Sequence, residues 1–143
     1  MNDDTIKLLR ECNAGVKMGI SSLDDVMDRV KDQSLKNLLE QSKDTHSRLG
    51  DDTHRLLERY RDNGKEPAAM AKLMARAKTM MKMDDKNCDR VAAEMVTDGC
   101  HMGIKSLYRY LHQYPAATQE VKKLTGDIIE AEEKLEKGLR EYL

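Results

Sequence analysis

Carboxylates and histidines at helical spacing are the side chains of this sequence that could do chemistry. Asp51 and His54 are three residues apart, and so are Asp98 and His101. Residues with this spacing project from one face of a helix, where a carboxylate and an imidazole can share a metal ion. Such pairs also arise by chance in a chain of which 36% is charged. We interpret both pairs as solvated or boundary positions, with His101 nearer a predicted apolar face because it follows Cys100.

Nucleophilic catalysis is not indicated by the sequence. The three cysteines, Cys12, Cys88 and Cys100, are odd in number and form no Cys-x-x-Cys pair, which predicts free thiols in a reducing cytoplasm. No histidine or second thiol adjoins Cys12 or Cys88 to activate it. The sequence also contains no glycine-rich phosphate loop and no Ser/His/Asp set. We therefore favour a protein that is not an enzyme and needs no cofactor.

The composition excludes several classes of protein. The 143 residues fit one domain, 1–143. Basic residues (25) and acidic residues (26) give a net charge of −1, whereas a general nucleic-acid or membrane-surface binder has an excess of positive charge. The acidic N-terminus is not a signal peptide, and no stretch approaches the ~18 apolar residues of a membrane span. Phe and Trp are absent and aromatics are only 3%, which favours an all-α fold.

Apolar residues recur every three or four positions along four stretches of the chain, as they do in helices that bury one face. The stretches form two predicted helical hairpins, over about 4–63 and about 85–142. Asp3 or Asp4 is the predicted cap of the first helix, Asp32 that of the second, and Asp84-Asp85 that of the third. Pro115 predicts that the third helix ends at the residue before it.

An internal repeat relates the two hairpins. Gly15–Leu23 and Gly99–Leu107 are identical at six of nine positions. The repeat contains four glycines at predicted helix-interior positions, where each costs about 1 kcal/mol relative to alanine. Such glycines indicate a close approach of backbones. We expect the first helix to pack on the third at these glycines, with a contact between two copies of the chain as the alternative. The glycines are Gly15, Gly19, Gly99 and Gly103.

The connection between the hairpins decides the predicted topology. About twenty residues intervene, enough to cross from one end of a bundle to the other, whereas an up-down-up-down bundle needs only a short turn. Residues 65–83, here called the Met-rich segment, carry five basic residues and one acidic residue. The segment either packs over the side of the bundle or binds a peptide, an acidic protein or a lipid surface. Its methionines are Met70, Met74, Met80, Met81 and Met83.

Three short runs carry a resemblance to a known family. They are Leu8-Leu9 to Gly15, the turn Val30–Lys36, and Thr97-Asp98-Gly99. With these runs the chain resembles the ferritin-like superfamily, and more narrowly a bacterial domain-of-unknown-function family of ferritin-like bundles. The resemblance implies an up-down-down-up four-helix bundle with one long crossover, built here from two repeated hairpins.

The superfamily's di-iron chemistry uses a carboxylate on helices one and three and a Glu-x-x-His motif on helices two and four. The resemblance aligns these motifs with Lys43 to His46 and with Ile129 to Glu132, so that neither begins with a carboxylate. The corresponding positions on helices one and three are Asn13 and Thr97. Of these ligand positions, only the side chains of His46 and Glu132 could coordinate a metal. We favour instead that these two side chains form a polar hydrogen-bonded pair, or hold water, inside the bundle.

Two functions follow as hypotheses. The first is a non-catalytic bundle that acts through protein contacts, forms a homo-oligomer such as a dimer, and binds no metal. The alternative is a metal-binding or ferroxidase-like protein with an atypical site. The first hypothesis expects a polar interior satisfied by side chains, with Lys43 supplying positive charge near Glu132. The candidate ligands of the alternative are His46, Glu132, Asp98 and His101.

Overall fold

The computed structural model describes residues 3–60, 62 and 87–143. The described chain contains four α-helices, and residues 3–60, 62 and 87–143 include no β-strand. The predicted all-α fold with four helices is therefore confirmed. None of the helices described is long and apolar enough to cross a bilayer. The helices are α1 (Asp3–Met27), α2 (Gln33–Arg59), α3 (Cys88–Gln113) and α4 (Gln119–Leu139), and a 3₁₀ helix (Arg140–Tyr142) follows.

Local side-chain contacts explain where several helices begin and end. The Asp32 carboxylate accepts a hydrogen bond from the Leu35 amide at 2.9 Å and caps α2, as the sequence predicts. The Thr118 hydroxyl accepts one from the Val121 amide at 3.3 Å and caps α4. Helix α3 ends immediately before Tyr114, its C-cap, because the following proline disfavours helix there.

Two helix boundaries differ from the prediction. Helix α2 ends at Arg59, before the predicted end at residue 63, because the amide of Asp62 donates to the Leu57 carbonyl at 2.8 Å and turns the chain. Asp4 lies inside the first turn of α1 instead of capping it, and its carboxylate accepts from the Ala116 amide at 2.9 Å. The predicted cap Asp84-Asp85 lies outside the described residues.

Hydrogen bonds between the hairpins fix the relative directions of the helices. The Thr118 amide donates to the Thr5 hydroxyl at 3.0 Å, which places the start of α1 beside the turn between α3 and α4. At the other end, the amides of Lys31 and Asp32 donate to the Asp89 carboxylate at 2.7 and 3.0 Å, beside the start of α3. Helices α1 and α3 are therefore antiparallel. Since each hairpin is itself antiparallel, α2 and α3 run in the same direction.

Helix α1 packs on α2 and α3, and α4 packs on the same two helices and less extensively on α1. Arg10 donates its Nε–H to Asp62 at 3.0 Å, near the end of the bundle where α1 starts. Asn87 lies at the opposite end, where α3 starts. The chain leaves the first hairpin and enters the second at opposite ends of the bundle.

The apolar core consists of two clusters along the length of the bundle. One lies towards the start of α1 and includes Leu9, Leu57 and Val121. The other lies towards the end of α1 and includes Leu23, Leu39 and Leu139. Buried apolar side chains of this kind each contribute about 1.5–3 kcal/mol to folding. The buried pair His46 and Glu132 belongs to neither cluster.

Candidate functional site

A histidine and a glutamate meet in the interior where the two hairpins face each other. His46 lies on α2 and is 1% exposed, and Glu132 lies on α4 and is 9% exposed. Nε2 of His46 is 2.6 Å from Oε1 of Glu132. Nδ1 of His46 is 2.7 Å from the Ser42 carbonyl oxygen, one turn earlier on α2. The histidine ring is thus held at both nitrogens.

The partners of His46 determine its protonation. A carbonyl oxygen can only accept, so Nδ1 donates its proton to Ser42. Burial lowers the pKa of His46, but the hydrogen bond and negative charge of Glu132 and the Ser42 carbonyl raise it, and the net result is a pKa above the ordinary 6.5. We infer an imidazolium that donates from both nitrogens to a carboxylate and a carbonyl. Such a ring has no lone pair left to bind a metal.

The thiols of this region are not activated. Burial raises the pKa of the Cys100 thiol, and the negative charge of Glu132 raises it further. Burial likewise raises the pKa of Cys12 to about 12, and its sulfur is 3.1 Å from the Thr125 hydroxyl. Cys88 is buried as well. Reactive cysteines have lowered pKa values and access to solvent, so neither Cys12 nor Cys100 has the properties of a nucleophile or redox sensor.

The other polar residues predicted for the interior are buried but incompletely paired. Asn13 donates from Nδ2 to the Thr53 hydroxyl at 2.9 Å, and that hydroxyl donates to the Gly50 carbonyl at 2.7 Å. Oδ1 of Asn13 and the hydroxyl of Thr97 are buried without a hydrogen-bond partner in the part of the chain that the structure describes. The expectation that side chains satisfy the hydrogen-bonding groups of the interior holds for Nδ2 of Asn13. It does not hold for Oδ1 of Asn13 or for the Thr97 hydroxyl.

The position of Lys43 differs from the prediction. Its Nζ lies 2.6 Å from Oδ1 of Asp24 on α1, and both side chains are largely exposed. The lysine follows the solvated edge of α2 because an ammonium group stays hydrated where it can. The positive charge beside Glu132 therefore comes from His46.

Of the four candidate ligands of the alternative hypothesis, the structure pairs His46 with Glu132 but does not add Asp98 or His101 to them. Asp98 and His101 are exposed on α3, and Nε2 of His101 is 3.4 Å from Glu136 on α4. Asp51 and His54 are exposed on α2, as expected for solvated positions. No group of three His, Cys, Asp or Glu side chains placed to hold a metal ion occurs within residues 3–60, 62 and 87–143.

The repeated segments of α1 and α3 line a groove between these helices, here called the α1/α3 groove. Its volume is about 410 Å³, and His46 and Glu132 are among its lining residues. Each wall contains five residues of the same types in the same order, because each comes from one copy of the repeat. These residues are Gly15, Met18, Gly19, Ser22 and Leu23 on α1, and Gly99, Met102, Gly103, Ser106 and Leu107 on α3.

The four glycines of the groove have two different roles. A Cβ atom at Gly19 would lie 2.9 Å from Cδ2 of His46, so this glycine makes room for the histidine ring. A Cβ at Gly103 would meet the Glu132 carboxylate at 3.7 Å, an ordinary contact. A Cβ at Gly15 or Gly99 would meet no atom within 4 Å in the part of the chain that the structure describes. At these two positions the structure differs from the expected close packing of α1 on α3, because the groove lies between the helices.

The groove contains residues that the sequence analysis did not single out. Met18 and Met102 line it, and Met102 is 40% exposed. Both are part of the repeat, which was the available signal. The methionines that were singled out, Met70 to Met83, lie outside the described residues, so their role as a partner surface stays a prediction.

Comparisons with protein-family models, with curated proteins and with solved structures gave no match to this chain.

Proposed function

We propose that this chain is a ferritin-like bundle in which an internal ion pair takes the place of a di-metal site, and that it acts through contacts with other protein chains and not by catalysis. The observation that carries the proposal is the His46–Glu132 pair, in which both nitrogens of the imidazole have a hydrogen-bond partner within the chain, and we infer that both donate. A ring in this state cannot act as a metal ligand.

The arrangement of the helices supports the ferritin-like part of the proposal. Helices α2 and α3 run in the same direction, and the chain leaves α2 and enters α3 at opposite ends of the bundle. A single long connection between two antiparallel hairpins is the connectivity of ferritin-like folds. An up-down-up-down bundle would instead place α2 and α3 antiparallel.

Electrostatics explains how the interior remains stable without a metal. Several carboxylates in a bundle core need a cation to offset their repulsion and the loss of their hydration. Four positions that the resemblance assigns to carboxylates hold other residues here, which leaves the charge of Glu132; they are Asn13, Lys43, Thr97 and Ile129. The imidazolium of His46 supplies the positive charge that balances it at 2.6 Å.

The proposal that the protein acts through contacts with other chains rests on the state of its described thiols and histidines and on the lining of the α1/α3 groove. The described thiols at positions 12 and 100 are protonated and buried, and His54 and His101 pair with Glu58 and Glu136 and not with the central pair. The α1/α3 groove is lined largely by apolar and small residues around an internally neutralised pair. This surface is better suited to bind apolar groups than to perform acid–base chemistry.

Metal analysis tests this proposal. The protein is expressed in iron- and manganese-supplemented medium, and its metal content and thermal melting are measured with and without a chelator. We expect less than stoichiometric metal and one melting temperature in both conditions, since a metal that binds the folded state would raise it. The Glu132→Gln variant serves as a matched control and is expected to show the same metal content as the wild type.

The opposite result favours the alternative. Stoichiometric iron or manganese, with a melting temperature that falls in chelator and a metal content that falls in Glu132→Gln, would show a metal-binding or ferroxidase-like protein with an atypical site.

A further inference from the structure

Among the described residues, Gly15 and Gly99 have no steric reason to be glycine. Both are inside helices, where glycine is less favourable than every residue except proline. An added Cβ at either would meet no described residue within 4 Å. They occupy equivalent positions of the repeat and line the two walls of the α1/α3 groove. Glycines at paired positions that face open space among the described residues indicate that a further group approaches the backbone there.

We propose that a second copy of this chain covers the α1/α3 groove, so that the same face of each copy packs on the other and Met102 of each enters the groove of its partner. This inference rests on the proposed function, since it names the protein partner and the surface that it uses. A symmetric contact of this kind is isologous, with each patch opposing its own copy.

The groove and the side chain that would fill it lie on the same face. Met102 lines the groove on the α3 wall and is 40% exposed, and Met18 stands at the equivalent position on the α1 wall. Methionine is flexible and polarisable, and it adapts well to irregular cavities. A patch that carries both a cavity and an exposed apolar side chain is self-complementary, which a twofold contact requires.

Charge at the rim of the groove agrees with a second copy. Glu11 on α1 and Arg109 on α3 line the same end of the groove, on opposite walls. A twofold axis parallel to the helices would place α1 of one copy over α3 of the other. Glu11 of each copy would then lie opposite Arg109 of its partner, and the arrangement gives two pairs of opposite charge.

The polar atoms inside the groove are compatible with being covered. Glu132 is balanced by His46, so a covering chain would bury no net charge.

Sedimentation velocity and light scattering over a wide range of protein concentration test the proposal. We expect a concentration-dependent dimer for the full chain. Gly99→Leu fills the groove at a position where the added side chain begins in open space, and we expect it to raise the dimer dissociation constant at least about tenfold. Gly126→Leu is the matched control, because Gly126 is also inside a helix with nothing within 4 Å but lies on α4 outside the groove.

A second pair of variants tests the inserted side chain. Met102→Glu is expected to weaken the dimer at least as much as Gly99→Leu, because a charge would enter an apolar groove. Tyr108→Glu is its control, since Tyr108 is 48% exposed on the same helix and does not line the groove. Circular dichroism of each variant establishes that it is folded.

Three results would overturn the proposal. They are a monomer at every concentration, a dimer that Gly99→Leu and Met102→Glu leave intact, and equal weakening by the control variants. The metal content of the wild type is measured on the same samples. A metal-free monomer would reject the groove as a dimer face and leave the proposed absence of a metal site standing, whereas a metal-loaded dimer would do the reverse.

Discussion

Two faces of the bundle show how the same hairpin design yields different surfaces. The α1/α3 groove is lined by glycines, serines and methionines around a buried ion pair. On the opposite face, α2 and α4 border a cleft of about 570 Å³, here called the α2/α4 cleft, which is lined by mixed charges that include Asp52, Arg55 and Glu130. Arg55 and Asp52 pair at 2.5 Å, and both side chains are exposed.

The two faces differ in how strongly their side chains are hydrated. Long charged residues keep the α2/α4 cleft hydrated, and exposed ion pairs of this kind contribute little to stability. Small residues leave the α1/α3 groove open without providing groups that hold water strongly. The comparison teaches that an apolar partner is favoured on only one of the two faces, although the internal repeat relates α1 to α3 and α2 to α4.

The largest expected effect compares two carboxylates on α4, one on each face. Glu132→Ala leaves the His46 imidazolium buried without its counter-ion and is expected to cost about 3 kcal/mol of unfolding free energy. Glu130→Ala, in the α2/α4 cleft, is expected to change it by less than about 0.5 kcal/mol. Urea denaturation measures both. Equal effects of the two variants would mean that the buried pair contributes nothing special to stability.

A smaller effect separates two glycines of the same wall of the groove. In Gly19→Ala the added Cβ would lie 2.9 Å from the His46 ring, which two hydrogen bonds hold in place. We expect a loss of about 1–3 kcal/mol, as for other overpacked sites. In Gly15→Ala the Cβ enters open space, and better helix propensity should raise the monomer's stability by up to about 1 kcal/mol. Denaturation of both variants at low protein concentration should show changes in unfolding free energy of opposite sign. Changes of the same sign would contradict the assignment of different roles to Gly15 and Gly19.

The smallest effect is the pH dependence that the buried His46–Glu132 pair gives to the unfolding free energy. Folding raises the pKa of His46 above 6.5, so the folded state holds this proton more tightly than the unfolded chain does. The resulting stabilisation is complete below pH 6.5 and is lost as the pH rises through the folded pKa, by about 1.4 kcal/mol for each unit of the shift. The Cys100 thiol, which also faces Glu132, remains protonated across this range because its pKa is raised.

Comparison with Glu132→Gln isolates that contribution. Glutamine can donate a hydrogen bond to neutral His46, so the variant should lack the decline above pH 6.5 while the exposed charges titrate as before. The measurement is the unfolding free energy of both proteins from pH 6 to pH 9. Parallel curves would show that His46 does not exchange its proton on unfolding in this range.

Local sequence signals predicted the helix ends better than the side-chain contacts of the site. Asp32 and Pro115 predicted where α2 begins and where α3 ends, because a cap and a proline act on their immediate neighbours. The end of α2 was missed, since it depends on the turn that Asp62 makes beyond Tyr60. Likewise Lys43 was expected near Glu132, and only the packed helices place it beside Asp24.

The sequence by itself determined the helical class, the two hairpins and the repeat, because the spacing of apolar residues sets which face of each helix is buried. The sequence also favoured a hydrogen-bonded pair of His46 and Glu132, which are 86 residues apart. Only the tertiary structure decided that the imidazole has a partner at both nitrogens, and that an added Cβ at Gly15 or Gly99 would meet none of the described residues. The distance between two helices is set by side chains from all the helices around them. The protonation of a buried pair likewise depends on how much water is removed and which partners replace it.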